Sequence, residues 1–361
     1  MDKRLKSISE KVKSGDRIGA EDALVLFETE DLLALGEMAN VVRERKNQNL
    51  TYYNINRHIN YSNVCYVGCK FCEFGQPKSS PKAYELSVPE MEKIAGEAVG
   101  QGATEFHIVG GLHPDLKLDY YEQLLGTFRR VAPGVHLKAF TAVEIDYFAK
   151  INRMSHEEVL RRLVAAGLGS MPGGGAEVLT ERVHQLTHPN KIGPAAWLDI
   201  HRKAHRMGIR SNATMLYGHV EDYADKVEHL QKVRDLQDET KGFQTFIPLS
   251  FVPDDTPLAH IPKPTGATDL KHIAISRIFL DNFDHVKVYW VMTGLPVAQL
   301  ALGFGADDID GTIMKETIVH MAGARTPEGV TESDLVRLIQ EAGREAVERD
   351  TLYHVLKRHA A

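Results

Sequence analysis

The sequence predicts an α/β protein built on one (β/α)8 barrel of the TIM type, with helical extensions at both ends. The chain has 361 residues, which is long enough for such a barrel and its extensions. β-rich segments alternate with helical segments from about residue 51. Nothing in the sequence marks a reversal of strand order, as a doubly wound sheet would require. We therefore expect parallel βα units with right-handed crossovers.

The first segment, residues 1–48, is predicted to be a helical extension. Thr29, which precedes two acidic residues, is a candidate N-cap for its last helix. Apolar residues at spacings of three and four form one stripe on that helix: Leu32, Leu35, Ala39 and Val42.

The barrel is predicted over residues 49–311. The candidate strands are 55–61, 104–109, 136–141, 168–171, 209–216, 243–249, 285–291 and 306–310. The candidate helices between them are 89–101, 119–131, 155–166, 195–207, 221–238 and 268–282. Because function collects at the carboxyl ends of barrel strands, we expect the site there.

The last segment, residues 312–361, is predicted to be helical and packed on the barrel. Thr331 followed by Asp334 resembles a capping box at the start of an amphipathic helix. The Pro/Gly-rich piece 252–268 is predicted to be a long loop, either a lid or a surface excursion.

Composition and charge exclude several classes of protein. The 43 basic and 49 acidic residues give a net charge of −6 with no basic block, so we expect no nucleic-acid partner. No apolar run reaches the roughly 18 residues that a membrane span needs, so we expect no membrane partner. The N-terminus lacks the apolar region of a secretory signal, which predicts a cytoplasmic protein.

The three cysteines of the chain, Cys65, Cys69 and Cys72, lie within eight residues directly after the first predicted strand. Three cysteines cannot form a closed set of disulfides, so a reduced compartment and one metal or cofactor site are the better interpretation. Thiolates at such spacing bind iron–sulfur clusters or zinc. A zinc site with His58 or His113 as the fourth ligand remains an alternative at this point.

The motif Cys65-x3-Cys69-x-Phe71-Cys72 resembles the radical S-adenosylmethionine (SAM) superfamily. The resemblance implies a [4Fe-4S] cluster held by the three cysteines, with one iron open to SAM, and cleavage of SAM to a 5′-deoxyadenosyl radical. Phe71 would then lie near the adenine. One departure is the sequence Glu73-Phe-Gly-Gln76 after the last cysteine, where smaller residues are more usual.

Other strand ends supply candidate SAM contacts. In the superfamily a Gly-Gly pair binds the SAM amino group, which implies this role for Gly110 and Gly111, although Leu112 replaces the usual acid. Glu177 suits either the ribose hydroxyls or the dipole of the next helix, and the resemblance favours ribose. The remaining candidates for SAM binding are Thr141, Glu144 and Gly218.

A longer pattern is similar to the aminofutalosine synthase family within this superfamily. It consists of HINYSNVC, MPGGGAE, ATMLYGHVE, LQDETKGFQTFIPLSF, LDNFDHVKVYWVM and ERDTLY, in this order. The resemblance implies that the adenosyl radical adds to 3-[(1-carboxyvinyl)oxy]benzoate, with loss of CO2 or bicarbonate, to form 6-amino-6-deoxyfutalosine for menaquinone biosynthesis. It also implies a reducing partner such as flavodoxin or ferredoxin.

A substrate with two carboxylates requires donors such as Arg, Lys, His or hydroxyl groups near the barrel mouth. Arg57 and His58 lie on opposite faces of one strand, so at most one enters the barrel. The candidates are Arg57, His58, His113, Lys138, Arg210, Tyr217, His219 and Ser250. The alternatives in the same fold are cyclic dehypoxanthinyl futalosine synthase and FO synthase; outside it, a non-catalytic iron–sulfur or zinc redox protein.

Overall fold

The computed structural model describes residues 3–359. The helices are α1 (Lys3–Ser14), α2 (Ala20–Glu28), α3 (Leu32–Asn47), α4 (Val88–Gly100), α5 (Leu118–Val131), α6 (Ala142–Asn152), α7 (His156–Ala166), α8 (Glu181–Thr187), α9 (Pro194–Arg206), α10 (Tyr223–Thr240), α11 (Gly266–Phe279), α12 (Trp290–Thr293), α13 (Leu295–Ala301), α14 (Ile318–Met321) and α15 (Glu332–Glu341). The strands are β1 (Leu50–Asn54), β2 (Asn56–Ile59), β3 (Glu105–Ile108), β4 (His136–Ala139), β5 (Ser170–Met171), β6 (Arg210–Tyr217), β7 (Phe243–Ser250), β8 (His285–Val286), β9 (Asp308–Gly311), β10 (Glu345–Arg349) and β11 (Val355–His359).

The central sheet is parallel throughout and runs in chain order from β2 to β8. Residues 308–313 lie between its two edges. The backbone N–H of Val288 donates to Asp308 O at 2.9 Å, and that of His58 donates to Ile313 O at 3.1 Å. The predicted α/β barrel is therefore confirmed, with seven strands in one curled sheet and the eighth segment closing the gap.

A second sheet of four strands, in the order β11-β10-β1-β9, was not predicted from the sequence. It joins the two ends of the chain, because Leu50 of β1 pairs with Glu345 of β10 in parallel register. The segment after residue 312 is consequently not helical alone, since β10 and β11 follow α15. The division of the chain at 48 and 311 stays a prediction.

The ends of two helices test the predicted caps. Thr331 and Asp334 form the expected capping box at the start of α15. Thr29 is not the N-cap of α3. Asp31 takes that place and accepts from the Ala34 N–H at 3.1 Å, while the Thr29 hydroxyl oxygen accepts from the Asp31 N–H. Two capping-type residues stand close together here, and the one that reaches the third helical amide is the cap.

The segment 252–268 folds back onto the barrel mouth and is not a free excursion. Phe251 and Leu258 are buried and pack with Leu216 of β6 in a small apolar cluster that also contacts Phe71. The backbone N–H of Asp255 donates to Ala322 O at 3.1 Å, which ties this loop to the end of α14. Among residues 3–359, no helix is long and apolar enough to cross a membrane.

Candidate active site

One cavity of about 350 Å³ lies inside the barrel, and its lining comes from the strands and from the loops at their carboxyl ends. All three cysteines line it, together with Phe71 and Lys191. Residues from the strand interiors, such as His58 and Lys138, line it as well. The cysteine motif and the barrel interior therefore share one continuous space.

Backbone hydrogen bonds hold the cysteine loop against its neighbours. The Cys65 N–H donates to Gln76 O at 2.8 Å, so the loop returns on itself after the last cysteine. The Lys70 N–H donates to Thr187 O at 2.9 Å. A Cβ atom at Gly75 would lie only 3.1 Å from Cβ of Cys65, which shows how closely the two ends of the loop approach. The loop thus presents its three thiols from a fixed frame.

Burial changes the ionisation of the thiols. It raises the pKa of Cys69 to about 12, and it also raises the pKa of Cys72. Buried thiols at such values need a nearby positive charge to become thiolates. Lys191 is one such charge, and the thiol of Cys69 in turn favours the charged form of this lysine.

Lys191, Glu177 and Phe71 form a group beside the cysteines. The Lys191 ammonium pairs with the Glu177 carboxylate and lies 5.2 Å from the centroid of the Phe71 ring. Burial alone would lower the pKa of Lys191, but Glu177 and Cys69 raise it. Both side chains of the pair are largely enclosed, with exposed fractions of 8% and 12%. The pair therefore places a fixed cation and a fixed anion in the cavity.

Glu144 is buried beside the end of β3 and accepts four hydrogen bonds. Its donors are the Tyr61 hydroxyl at 2.9 Å, the Gly110 N–H at 3.2 Å, the Thr141 N–H at 2.7 Å and the Thr141 hydroxyl at 2.8 Å. Burial raises the pKa of Glu144 to about 7 despite these donors. Glu144 thus fixes the backbone of Gly110 and the start of α6.

The Gly110-Gly111 pair is required by close packing within the chain. A Cβ atom at Gly110 would lie 2.5 Å from the Tyr61 ring, and one at Gly111 would lie 2.3 Å from Val64 O. Only glycine allows the end of β3 to pack this closely against the segment that leads into the cysteines. Gly110 also lines the cavity, so its role toward SAM stays a prediction.

The end of β6 carries a network of its own. The Tyr217 hydroxyl donates to Asp269 at 2.7 Å, and the Tyr217 ring stacks on His272. His219 Nε2 lies 2.9 Å from Leu216 O. Gly218 has a φ of +94°, and a Cβ there would lie 2.2 Å from Pro264, so its glycine is explained by the adjacent loop.

Of the eight predicted substrate residues, only His58 and Lys138 line the cavity. Tyr217 and His219, described above, are two of the six that do not, and the other four lie as follows. Arg57 points to the outer side of β2, and Arg210 is exposed at the amino end of β6, opposite to the expected mouth. His113 is buried 3.3 Å from Glu85 and accepts from the Asp115 N–H, while Ser250 is buried at the end of β7. Strand alternation separates Arg57 from His58, which does line the cavity.

Comparison with known proteins identifies the family to which this chain belongs. Residues 59–233 match the model of the radical SAM superfamily, and residues 240–360 match that of the CofH/MqnC C-terminal region. The chain is 45% identical to the aminodeoxyfutalosine synthase of Thermus thermophilus, over 99% of this chain and 97% of that protein. The chain belongs to the radical SAM superfamily.

Two further comparisons concern another relative of this radical SAM chain and its fold. It is 38% identical to the cyclic dehypoxanthine futalosine synthase of Streptomyces coelicolor, over 98% of this chain and 90% of that protein. Its fold is similar to that of methylornithine synthase, with a TM-score of 0.75 at 17% identity, over 93% of this chain and 96% of that chain. The predicted family and fold are thus both confirmed.

The residues present fit the [4Fe-4S] cluster and the SAM that this radical SAM family uses. Three thiols face one cavity, and the sequence contains no fourth cysteine. Of the two histidines named for a zinc site, His113 lies against Glu85 and does not line the cavity. His58 lies among the strands, with its ring centroid 4.6 Å from that of His107. Cys65, Cys69 and Cys72 would hold the cluster and leave one iron free for SAM.

Sequence analysis missed several residues of the radical SAM cavity. Lys191 stands 14 positions after Glu177, in a segment that carries no strand pattern. His107 and Lys287 lie inside strands β3 and just after β8, where their alternation with apolar neighbours is the signal that was available. Asn212 of β6 also lines the cavity.

Proposed function

We propose that this chain is an aminodeoxyfutalosine synthase. It would join the adenosyl group of SAM to 3-[(1-carboxyvinyl)oxy]benzoate and form 6-amino-6-deoxyfutalosine for menaquinone biosynthesis. The observation that carries this proposal is the single cavity, which has three cysteine thiols on its wall and extends to a polar interior. The relatives support it, since identity is 45% to the synthase and 38% to the cyclic dehypoxanthine enzyme.

The reaction balances without an added oxidant. When bound, the cluster and SAM supply a 5′-deoxyadenosyl radical, which adds to the enol-ether double bond. The resulting radical rearranges onto the arene, and one carboxyl group leaves as CO2 and a proton, or as bicarbonate if one water molecule takes part. One electron enters when SAM is cleaved and one is released with the carboxyl group, so the sum is redox-neutral.

The side chains near the cysteines have the charges that SAM requires. Lys191 is the cation of this end of the cavity and would pair with the SAM carboxylate. Glu177, its present partner, would accept from the ribose hydroxyls. Phe71 offers a ring face for the adenine, and Glu144 holds the Gly110 backbone that would receive the SAM ammonium.

Apolar side chains cover part of the barrel mouth, which suits radical chemistry. Phe251, Leu258 and Phe71 pack together over one side of the cavity, and Val319 of α14 lines another. A carbon radical needs a dry site without stray hydrogen donors, because it reacts with whatever hydrogen atom it meets first. Both co-substrates must also be held in reacting positions before the radical forms.

The electron that starts the reaction requires a reducing partner, and we propose a one-electron carrier such as flavodoxin or ferredoxin in the cytoplasm. The cysteine loop reaches the protein surface at Tyr66, whose exposed fraction is 54%. A carrier docked there would lie close to the cluster.

Anaerobic turnover tests the proposed function. The reconstituted protein is incubated with dithionite, the enolpyruvyl benzoate and SAM that carries ¹³C in its adenosyl group, and the products are analysed by mass spectrometry. We expect the label in a product with the mass of 6-amino-6-deoxyfutalosine. Cys72→Ser is the matched control, because it removes one cluster ligand while the remaining cavity stays in place.

Two other results would contradict this proposal. Release of labelled 5′-deoxyadenosine, with no labelled adduct, would indicate hydrogen abstraction of the kind expected for a cyclase. An EPR signal of the reduced cluster that SAM does not change would indicate a protein without radical SAM chemistry.

A further inference from the structure

We propose that the interior of the barrel holds a binding site for the ring carboxylate of the aromatic co-substrate. The site is formed by His58, His107, Lys138 and Lys287, which we call the basic layer. This inference rests on the proposed function and deepens it, since it states which group of that substrate the chain recognises and where.

The register of the sheet places His58, His107 and Lys138 of the basic layer at one level. His58 of β2 pairs with His107 of β3, and His107 pairs with Lys138 of β4. The two imidazole rings are 4.6 Å apart, and all four side chains line the same cavity. His107 and Lys138 stand three residues before Gly110 and Thr141, which at roughly 3.3 Å per residue puts the layer about 10 Å below those two loop residues.

The two imidazoles of the layer are free to bind a ligand. Neither His58 nor His107 has a side-chain hydrogen bond within residues 3–359, although each touches the other ring. Burial lowers the pKa of both, so each is neutral and has one N–H to donate. Both imidazoles face the cavity, so their N–H groups are available to an acceptor on a ligand.

The two lysines of the layer also have ammonium N–H groups that their acidic partners do not use. Lys138 pairs with Glu105 at 2.6 Å and Lys287 pairs with Asp310 at 3.1 Å. An ammonium has three N–H bonds, so each lysine retains others for a ligand. Lys138 and Lys287 both lower the pKa of His107, whereas Glu105 opposes them. The field at this imidazole therefore favours an anion beside it.

The acidic groups that share the cavity are already engaged. Asp310 accepts from Lys287, and Glu316 accepts from the N–H groups of Val319 and His320 and lies 2.7 Å from the His320 ring. Asp310 also has a φ of +67°, a left-handed backbone conformation that aspartate adopts more readily than most residues. In this conformation its carboxylate accepts from Lys287, which fixes the position of the lysine.

The position of the layer selects one of the two carboxylates of the substrate. The vinyl ether must meet the adenosyl carbon at the cysteine end of the cavity, so the ring carboxylate is the one that extends inward. The Tyr289 ring lies parallel to His58 with 6.4 Å between their centroids, and Ile247 adds an apolar wall. An aromatic ring with one inward carboxylate matches this combination of wall and donors.

Two substrates test the basic layer in the reconstituted holoenzyme. One is 3-[(1-carboxyvinyl)oxy]benzoate, and the other is 2-phenoxyacrylate, which lacks the ring carboxylate. The kcat/KM ratio of the two is compared between the unaltered protein and His58→Phe/His107→Phe. We expect the double variant to lose about 10- to 100-fold of that ratio, because hydrogen bonds to a charged group are removed. His156→Phe, on the surface helix α7, is the control and should keep the ratio.

The design separates folding, function and recognition. The change that SAM makes in the cluster EPR signal shows whether a variant is folded. If the double variant is not folded, the single variants His58→Gln and His107→Gln are compared in its place. An unchanged ratio in folded variants overturns the basic layer and leaves the proposed function standing. If the unaltered protein forms no adduct, the proposed function fails, and calorimetry with 3-methoxybenzoate against anisole decides the layer. If the unaltered protein binds 3-methoxybenzoate and the variants do not, the basic layer is supported. If the unaltered protein does not bind it, the basic layer is overturned.

Discussion

The carboxyl group of Glu144 is fully enclosed, and its four donors do not outweigh the cost of burying its charge. Its pKa of about 7 lies above the value of 4.5 expected for the unfolded chain. Between these two values the folded state binds a proton that the unfolded state has lost. The free energy of unfolding therefore falls as the pH rises from about 4.5 to about 7, by roughly 3 kcal/mol for this group at 1.36 kcal/mol per pKa unit.

Glu144→Gln removes this titration. We expect the free energy of unfolding of the variant, measured by chemical denaturation at several pH values without SAM, to depend less on pH than that of the unaltered protein. The free energy of unfolding of the unaltered protein, relative to that of the variant, should fall as the pH rises to about 7 and then stay constant. A lower stability that is the same at every pH would show that Glu144 contributes its hydrogen bonds but does not titrate in this range.

The packing of helices on the barrel depends on a few positions without a side chain. Gly305, which leads from α13 toward β9, has a φ of +102°. A Cβ there would lie 2.8 Å from Cβ of Arg277 in α11 and 2.9 Å from Cβ of Ala39 in α3. Gly96, inside α4, has an ordinary φ and nothing within 4 Å of its Cβ position. The same residue type is thus obligatory in one element and replaceable in another.

Gly305→Ala and Gly96→Ala should change stability in opposite directions. The first adds backbone strain and overpacks two helices, for which we expect a loss of about 3 kcal/mol. The second removes a flexible residue from an exposed helix and should add about 0.5–1 kcal/mol. Thermal or chemical denaturation of the two variants side by side measures both. A loss at both positions would contradict the separation made here.

At the scale of the whole molecule, the C-terminal segment closes the base of the barrel. Arg349 of β10 pairs with Asp308 of β9 at 2.6 Å, and both side chains are almost fully buried. Arg349 also lies 4.2 Å above the Tyr353 ring, which stacks on His285 of β8. The ion pair thus joins two strands of the second sheet, and the Tyr353 ring connects it to β8 at the edge of the central sheet.

Arg349→Met should cost about 3–5 kcal/mol in the free energy of unfolding, because it leaves the Asp308 carboxylate buried without its partner. Adding Asp308→Asn to this variant should recover part of the loss. The exposed pair of Arg337 and Glu341 is the contrast: Arg337→Ala should change stability by less than about 1 kcal/mol. Equal effects of the buried and the exposed variants in denaturation experiments would refute the role given to the C-terminal segment.

The sequence by itself determined the features that are local. Strand and helix periodicity located the seven strands of the central sheet, the segment of β9 and six of the helices, because a buried strand and an amphipathic helix each leave a pattern in consecutive residues. The predicted strand 285–291 was too long, since β8 ends at Val286 and α12 begins at Trp290. The cysteine spacing together with Phe71 predicted the radical SAM superfamily, since three thiolate ligands within eight residues suit few other kinds of site. The capping box at Thr331 was equally local.

Only the tertiary structure decided what depends on distant residues. Strand alternation separates Arg57 from His58 but does not say which enters the barrel, and that choice is made by the pairing of β2 with β3 and residue 313. The second sheet pairs residues almost 300 positions apart, which no local pattern encodes. Lys191 lines the same cavity as the cysteines, and Lys287 lines it with His58 and His107, only because the barrel fold brings these segments together. Burial, which sets the pKa of Glu144 and of the thiols, exists only once that closure has removed water.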